Sequence, residues 1–375
     1  MKIAIITSRY PSKNEPYNHM FVHMRSLEML KKGEKIKVFV PAKMSSTYTY
    51  EGVSVIMLPS KEIIKKITET DVVYLHLLNI YPFSKSNGWH IYQFLQKSNI
   101  PFAMYVHGSE VQKYGARMFE FNYKITDFLK WFKKDILVIP KMRRFVKSVQ
   151  NRKQVTFIYP SLWMKRDMEI NLNLKIKKYH IIPNGIDTEL FKYHNLYKNK
   201  HKLLNLRPLS SKKYAVDVAI EIMRYLPEEY ELDIFGKGHY LKKYLALIEK
   251  YKLSDRIHIK NTFIDRNELN SFFANYGIFL SPTRMDAQGV TMCEAMASGL
   301  LTISNNNTAI PEFITNNKTG IIGNNPKEIA KQIIISTTNK DVYAKLTQSA
   351  RASMENIDSS KTVEKEIKVL KSLIR

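Results

Sequence analysis

Two acidic side chains beside a predicted helix start are the residues of this chain best suited to chemistry. Asp286 and Glu294 lie eight positions apart, the first in a polar loop and the second about one turn into a helix predicted for residues 290–297 and ended by Gly299. The free N–H groups at the start of such a helix, together with its dipole, favour a bound anion. The stretch predicts an anion site with a carboxylate on each flank. An ordinary strand–loop–helix connection with two solvated acids explains it equally well.

Two cations and two glycines follow predicted strands in the same half of the chain. Arg207 and Lys212 lie five positions apart just after the strand predicted at residues 203–206, so both can reach over its carboxyl edge. A guanidinium and an ammonium placed together would clamp a diphosphate and stabilise negative charge that develops on it. Gly236 and Gly238, after the next strand, let the backbone approach a ligand closely. Each piece alone is weak, and their shared position at strand ends indicates a site.

The elements that must position these residues are strands that alternate with helices along the chain. The predicted strands cover residues 2–7, 36–40, 53–58, 71–76 and 102–106 in the first half, and 203–206, 231–235, 257–259, 278–280 and 301–304 in the second. The alternation predicts an α/β protein with two doubly wound parallel sheets. Ligands of such sheets bind beyond the carboxyl ends of the strands, where His107 lies in the first half. The Pro-Asn-Gly turn at 183–185 predicts a domain junction.

Composition places the chain among globular proteins large enough for two domains. It has 375 residues, 44% of them hydrophobic, and no apolar run near the ~20 residues that a membrane span requires. The apolar residues after Met1 form too short a run for a signal peptide and are expected to be the first strand. The single cysteine, Cys293, excludes an intrachain disulfide and fits a reducing cytosol. Because its neighbours are apolar, we expect it to be a buried small hydrophobe rather than a nucleophile.

The net charge of +25 predicts attraction to an anionic partner. Residues 129–153 hold nine lysines and arginines against one acid, interleaved with aromatic rings. We predict an apolar helical face within 121–132, a short strand at 136–139 and a basic helix at 141–147. Such a segment suits anionic lipid headgroups, and a solvated basic face over a normal core explains it equally well. Nucleic-acid binding is a third reading, which no recognised motif supports.

In order and spacing these segments resemble the GT-B-fold glycosyltransferases, and specifically the retaining glycosyltransferase family 4 (glycosyl transferases group 1). The resemblance runs from about residue 1 to 330 and rests on these pieces: Ser8-Arg9-Tyr10-Pro11 after the first strand, His107-Gly108-Ser109, Ile182-Pro-Asn-Gly-Ile-Asp187, Arg207 with Lys212, Gly236-Lys-Gly238, and Asp286 to Glu294. It implies two Rossmann-like domains facing a cleft. Residues 1–185 would bind the acceptor, residues 186–355 the nucleotide sugar, and a helix within 356–375 would return to the N-terminal domain.

The resemblance also implies how the donor nucleotide would be held. Glu294 would hold the ribose hydroxyls, since a carboxylate can accept two such bonds at once. Gly289 and Val290 would offer backbone N–H groups to the diphosphate or the sugar. Gly236 and Gly238 would complete the donor-binding set.

Four residues would act on the transferred sugar and its leaving group. Arg207 and Lys212 would bind the diphosphate and assist its departure, and His107 would contact the donor sugar across the cleft. Asp286 stands where the family usually has glutamate, one methylene longer, near the sugar hydroxyls. The shorter side chain puts the family's sugar preference in doubt for this chain.

The implied reaction moves a hexose-type sugar from a UDP- or GDP-sugar, with retention, to a glycan or lipid-linked acceptor in bacterial surface polysaccharide synthesis (capsule, lipopolysaccharide or exopolysaccharide). No Asp-x-Asp motif occurs in the chain, so we expect no metal and no other cofactor. The expected location is the cytoplasm, peripheral at the inner membrane face if residues 129–153 bind lipid, and no nucleic acid is expected as a partner. The alternatives are a non-catalytic nucleotide-sugar-binding relative, or another GT-B enzyme such as a sugar-nucleotide epimerase or a phosphorylase. The sequence argues against a Rossmann dehydrogenase, because no Gly-x-Gly-x-x-Gly loop follows the first strand.

Overall fold

The chain folds into two units, each built around a mainly parallel sheet. The computed structural model describes residues 1–16, 18–80 and 86–374. The first unit comprises residues 1–185 together with 359–375, and the second comprises residues 186–358. The prediction of an α/β chain with two doubly wound halves is confirmed.

The first unit has an eight-stranded sheet within the described residues. Its strands are β1 Lys2–Ile6, β2 Lys35–Pro41, β3 Ser46–Tyr50, β4 Val53–Leu58, β5 Val72–Leu75, β6 Phe102–Tyr105, β7 Val155–Tyr159 and β8 Tyr179–Ile181. Its helices are α1 Met20–Lys31, α2 Ser60–Ile67, α3 Trp89–Lys97, α4 Ile125–Trp131, α5 Ile139–Val149 and α6 Leu162–Leu172. The sheet order is β3-β4-β2-β1-β5-β6-β7-β8. Only the pair β3–β4 is antiparallel among these strands.

The hairpin β3–β4 lies at the edge of the sheet, and of its two strands β4 was predicted at 53–58 whereas β3 was missed. Its two-residue turn consists of Glu51 and Gly52, with φ of 45° and 82°. Positive φ at both positions is the geometry of the type I′ turn, whose twist matches that of the paired strands. β3 is polar on both faces, so it lacks the apolar pattern that indicates a strand. The glycine after an acidic residue was nevertheless a usable turn signal.

The segment between β6 and β7 departs from prediction in two ways. The strand predicted at 136–139 is wrong, because Phe132–Val138 forms a π-helical turn that continues into α5. Pro140 lies where the π-helical turn passes into α5, and its ring fixes φ at a helical value. Secondly, the apolar side chains of α4 are exposed rather than packed in a core. A short apolar run cannot be assigned to strand or helix by its pattern alone.

The second unit has a six-stranded, all-parallel sheet within the described residues. Its strands are β9 Lys202–Leu206, β10 Glu231–Phe235, β11 Ile257–Lys260, β12 Ile278–Leu280, β13 Leu301–Asn305 and β14 Ile321–Gly323. Its helices are α7 Val216–Met223, α8 Leu241–Lys250, α9 Leu269–Phe273, α10 Val290–Ser298, α11 Ile310–Phe313, α12 Pro326–Thr338 and α13 Lys340–Glu355. The order β11-β10-β9-β12-β13-β14 is that of the Rossmann fold. The strand order therefore reverses between β9 and β12, which is where such sheets bind ligands.

The last helix, α14 Ser359–Ser372, packs within the first unit against α1. Val363 and Leu370 enter the core of that unit. The buried Glu366 lies 3.3 Å from Nε of Arg25 on α1. The predicted return of the C-terminal helix to the N-terminal domain is therefore confirmed. The second unit ends at residue 358.

Candidate active site

The reversal point of the second sheet brings Arg207 and Asp286 together. Arg207 follows β9, Asp286 lies in the loop after β12, and their Nη1 and Oδ2 atoms are 3.3 Å apart. Arg207 is only 6% exposed, and its Nε and Nη2 have no hydrogen-bond partner in the described part of the chain. Buried polar groups are normally hydrogen-bonded. A buried guanidinium with unused N–H groups is thus suited to an anion from outside the chain.

Asp286 also shapes the start of α10. Its Oδ1 accepts the N–H of Gly289 at 2.8 Å and that of Gln288 at 3.2 Å. Gly289 has a φ of 75°, a conformation that glycine adopts without strain. The N–H that Gly289 was predicted to offer to a ligand is therefore bound by Asp286. The N–H of Val290 belongs to the first turn of α10, whose amides have no partner inside the helix.

Arg284 joins the loop after β12 to the loop that carries Lys212. Its Nη1 and Nη2 reach the Asp217 carboxylate at 2.9 and 2.6 Å, and Nη1 also donates to the carbonyl of Lys212 at 2.8 Å. Lys212 opens a 3-10 turn, and its Nζ lies 5.8 Å from the ring centre of Tyr240. The two loops that border the reversal point are thus fastened together, with Arg207 on one of them.

The two predicted glycines allow loop packing within the second unit. A Cβ atom on Gly236 would lie 2.0 Å from the carbonyl oxygen of Arg207, and one on Gly238 would lie 2.0 Å from the carbonyl carbon of Leu209. Neither space admits a side chain. The glycines hold the loop after β10 against the loop after β9, which is a packing reason in addition to the predicted ligand approach.

Glu294 lies on α10 and is engaged by a residue that the sequence analysis missed. Its Oε1 accepts a hydrogen bond from Nη1 of Arg266 at 2.5 Å, and the glutamate is 4% exposed. Burial raises the pKa of Glu294, and the positive charge of Arg266 opposes that rise. Arg266 opens the turn that follows β11. The rule that singled out Arg207, a cation after a strand, would also have found Arg266.

His107 belongs to the first unit and follows β6 as predicted. Its Nε2 lies 3.0 Å from Nδ1 of His76, and its ring stacks on Tyr105 with 4.7 Å between ring centres. Its backbone N–H donates to Glu110 at 2.7 Å. Burial lowers the pKa of His107 well below the usual range, so the imidazole is neutral at physiological pH.

Neither Cys293 nor any cluster of metal-binding side chains forms a second reactive or metal site in the described residues. Cys293 is fully buried, and burial raises the pKa of its thiol. This placement agrees with a small hydrophobe. Within residues 1–16, 18–80 and 86–374, no three or more His, Cys, Asp or Glu side chains lie close enough together to hold a metal ion.

The two units define the class of protein. Two Rossmann-like domains, the second with a cation and a carboxylate at its reversal point, are the architecture of the GT-B fold. Residues 187–353 match the family described as Glycosyl transferases group 1. This match lies within the second unit, which is therefore similar to that family along residues 187–353.

Individual proteins agree with this class. A solved structure titled Anabaena Alr3699/HepE in complex with UDP superposes with a TM-score of 0.74 over 99% of this chain and 100% of that one, at 14% identity. The putative colanic acid biosynthesis glycosyltransferase WcaL of Escherichia coli (strain K12) is 26% identical over 44% of this chain and 43% of its own length. Alpha-monoglucosyldiacylglycerol synthase of Streptococcus pneumoniae (strain ATCC BAA-255 / R6) is 24% identical over 56% of this chain and 50% of its own length. The chain thus spans half or less of these curated relatives, and the structural likeness establishes the GT-B fold.

Proposed function

We propose that this protein is a retaining, metal-independent glycosyltransferase of family 4 that uses a UDP- or GDP-sugar. The observation that carries the proposal is the pairing of Arg207 with Asp286 at the reversal point of the second sheet, with two buried N–H directions of Arg207 unused. The match of residues 187–353 to Glycosyl transferases group 1 supports it. The UDP bound to the structural neighbour favours a uridine nucleotide.

In the proposed reaction the diphosphate occupies the reversal point. Arg207, Lys212 and the first amides of α10 stabilise the charge that grows on the diphosphate as it leaves, which is work that a metal does in other enzymes. Glu294 holds the ribose, while Asp286 contacts the sugar. The bond between C1 of the sugar and the phosphate oxygen breaks, and the acceptor hydroxyl attacks C1 from the same face. The hydroxyl proton passes to the departing phosphate oxygen.

The acceptor proposed is a glycan or lipid-linked glycan of a bacterial surface polysaccharide. One relative is named for colanic acid biosynthesis and another for synthesis of a glucosyl diacylglycerol. These names favour an acceptor that is either a polysaccharide precursor or a lipid. We further propose that the protein works in the cytoplasm at the inner face of the membrane.

The surface around α4 supports lipid contact, because its apolar side chains point outward. Ile125, Phe128, Leu129 and Phe132 are 73, 50, 62 and 51% exposed, whereas Asp127, the acid of this helix, is buried. Lysines are interleaved with them at positions 124, 130 and 133. Apolar groups that enter the lipid interface, with cations beside anionic headgroups, are the two signals that hold a protein on a membrane.

The basic helix α5 contributes to this proposal in a different way from the one predicted for residues 129–153. Its apolar residues Met142, Phe145 and Val146 are buried in the unit, and its cations Arg143, Arg144 and Lys147 are exposed. The proposed lipid-inserting surface is therefore α4 with the π-helical turn, and α5 adds charge. No helix in the described residues has the length and apolar character to cross a membrane.

Donor binding is tested by measuring the melting temperature of the protein with UDP, GDP and their sugars at millimolar concentration, with and without EDTA. The proposal expects stabilisation by one nucleotide series, unchanged by EDTA. Incubation of that sugar donor with membrane lipid extracts, followed by NMR of the product, should show an α-anomer from an α-donor. Binding without transfer to any acceptor would favour the non-catalytic relative, and no stabilisation by any nucleotide would refute the donor site.

Lipid contact is tested with a triple variant, Ile125→Ser, Leu129→Ser and Phe132→Ser, in co-sedimentation with phosphatidylglycerol vesicles. We expect binding to fall at least about tenfold, since each fully buried large apolar side chain contributes about 1.5–3 kcal/mol. Ile170→Ser with Leu245→Ser is the matched control, because these side chains are 76 and 47% exposed elsewhere. Equal binding by the triple variant and the control would contradict the proposal.

A further inference from the structure

Arg266 forms a close, partly buried ion pair with Glu294. The atoms Nη1 and Oε1 are 2.5 Å apart, with side-chain exposures of 20% for the arginine and 5% for the glutamate. On another side, the guanidinium carbon of Arg266 lies 5.2 Å from the ring centre of the buried Phe191. The guanidinium is thus fixed against a ring while it holds one carboxylate oxygen.

The segment that carries Arg266 is itself fastened to the helix that carries Glu294. Oδ1 of Asp265 accepts the N–H of Asn267 at 2.9 Å and so caps the turn at Arg266. In the helix that follows, Oδ1 of Asn270 accepts from Oγ of Ser298 on α10 at 3.2 Å. Arg266 therefore approaches Glu294 from a segment whose position is set by α10.

A buried carboxylate depends on such a neighbour to remain a good acceptor. Burial favours the neutral acid, which would accept poorly from the hydroxyls of a ribose, and a nearby cation restores the charged form. A carboxylate has about four lone-pair sites. Oε1 can therefore remain with Arg266 while Oε2 receives a sugar diol. Nε of Arg266 is buried without a hydrogen-bond partner in the described residues, so the arginine also has a donor to spare.

We propose that Arg266 is a positioning residue for the nucleotide ribose, which holds the Glu294 carboxylate charged and oriented for the 2′ and 3′ hydroxyls. The proposal rests on the donor site described above and assigns a role that no motif gives to this arginine. It places the specificity for ribose in a pair of side chains 28 positions apart. Loss of Arg266 should then affect only ligands that carry the two hydroxyls.

The test compares UDP with 2′,3′-dideoxy-UDP by titration calorimetry, and GDP with its dideoxy analogue in parallel. The proteins are the wild type, Arg266→Gln, Arg266→Lys and the exposed, charge-matched control Lys250→Gln. Since hydrogen bonds to charged groups contribute about 1.5–3 kcal/mol, we expect Arg266→Gln to weaken UDP binding at least about tenfold. Binding of the dideoxy nucleotide should change by less than about twofold in the same variant. Lys250→Gln should match the wild type, and Arg266→Lys should retain part of the preference for UDP.

A pH series gives a readout that a purely structural role would not move. As the pH falls, UDP affinity should begin to decline at a higher pH in Arg266→Gln than in the wild type. The reason is that burial raises the pKa of Glu294 and the charge of Arg266 opposes that rise. Melting curves of each variant verify folding, and Arg266→Lys carries the test if Arg266→Gln does not fold.

Several results would overturn the inference. Equal losses for UDP and its dideoxy analogue in Arg266→Gln would make Arg266 a structural residue. Unchanged UDP binding in that variant would remove its role altogether. If the wild type binds both nucleotides equally, the ribose is not read by Glu294. If the wild type binds no nucleotide, the proposed function fails as well, and this outcome is distinct from the others.

Discussion

The pairing of Asp286 with Arg207 predicts that removal of a carboxylate will strengthen anion binding. In Asp286→Asn, the retained side-chain oxygen can still accept the N–H of Gly289, as Oδ1 now does at 2.8 Å. The negative charge 3.3 Å from Arg207 is lost. The guanidinium then has a third N–H direction open, so inorganic pyrophosphate should bind more tightly while the protein becomes less stable.

The magnitude follows from the burial of the pair. Its side chains are 6 and 19% exposed, so the pair lies between surface pairs and fully buried pairs. Surface pairs contribute about 0–1 kcal/mol, and breaking a fully buried pair costs about 3–5 kcal/mol. We therefore expect Asp286→Asn to lose about 1–2 kcal/mol of unfolding free energy. If the same free energy becomes available for binding the ligand, pyrophosphate affinity should rise about 5- to 30-fold.

The assay is titration calorimetry with inorganic pyrophosphate, alongside urea denaturation. Glu355→Gln is the matched control, because it removes one carboxylate from another arginine pair of the same unit, Arg351–Glu355 at 2.9 Å. The control should leave pyrophosphate binding within about twofold of wild type, since exposed pairs act weakly over distance. Unchanged or weaker pyrophosphate binding by Asp286→Asn would refute the reasoning, because Arg207 would then not be the anion contact that Asp286 restrains.

Two further predictions concern packing and titration. Gly238→Ala should destabilise the second unit by about 1–3 kcal/mol and weaken nucleotide binding, because the new Cβ would lie 2.0 Å from the backbone of Leu209. Urea denaturation measures the stability and titration calorimetry the nucleotide affinity. An unchanged urea midpoint would contradict the contact between the two loops. Burial lowers the pKa of Lys134 from 10.5 to about 8, so the cost of burying its charge is fully present below pH 8 and disappears as the pH rises towards 10.5. The stability difference between Lys134→Met and wild type should therefore shift in favour of wild type by about 3 kcal/mol between pH 7 and 10.5, and a pH-independent difference in urea denaturation would argue against a buried, charged lysine.

The predicted positions of the donor-side residues relied on one rule of parallel sheets. Arg207, Gly236 and Asp286 were placed after strands, and each does lie at the carboxyl edge of the second sheet. Alternation of strands and helices is enough for that placement, because all strands of a parallel sheet end on the same side when their helices cross over. What the alternation cannot supply is which strands are neighbours. The contact between residues 79 positions apart, Arg207 and Asp286, depends on β9 lying next to β12.

The remaining errors arise from partners that a linear pattern does not contain. Glu294 was predicted as a site residue, but its contact with Arg266 was not, since nothing in the spacing of the two residues indicates contact. The apolar residues of α4 were read as a helix face, yet periodicity cannot say whether such a face meets a core or the outside. The structure shows that this face is exposed, because Asp127 turns inward and its apolar neighbours turn outward. His76 is buried against His107, a contact between residues 31 positions apart.

The paired acids of the second unit imply that geometry contributes more than these charges to the proposed donor binding. Arg207 is already paired with Asp286, Arg266 with Glu294, and Arg284 with Asp217. Each pair neutralises a charge before any ligand arrives, so these three arginines add little long-range attraction for a nucleotide. The lysines around α4 lie instead on an exposed surface. Interactions between exposed charges are largely screened beyond a Debye length, about 8 Å at physiological salt, whereas buried pairs are screened much less. Added salt should accordingly detach the protein from anionic vesicles at concentrations that leave nucleotide binding nearly unchanged. Salt dependence therefore distinguishes the proposed lipid-binding surface from the proposed donor site.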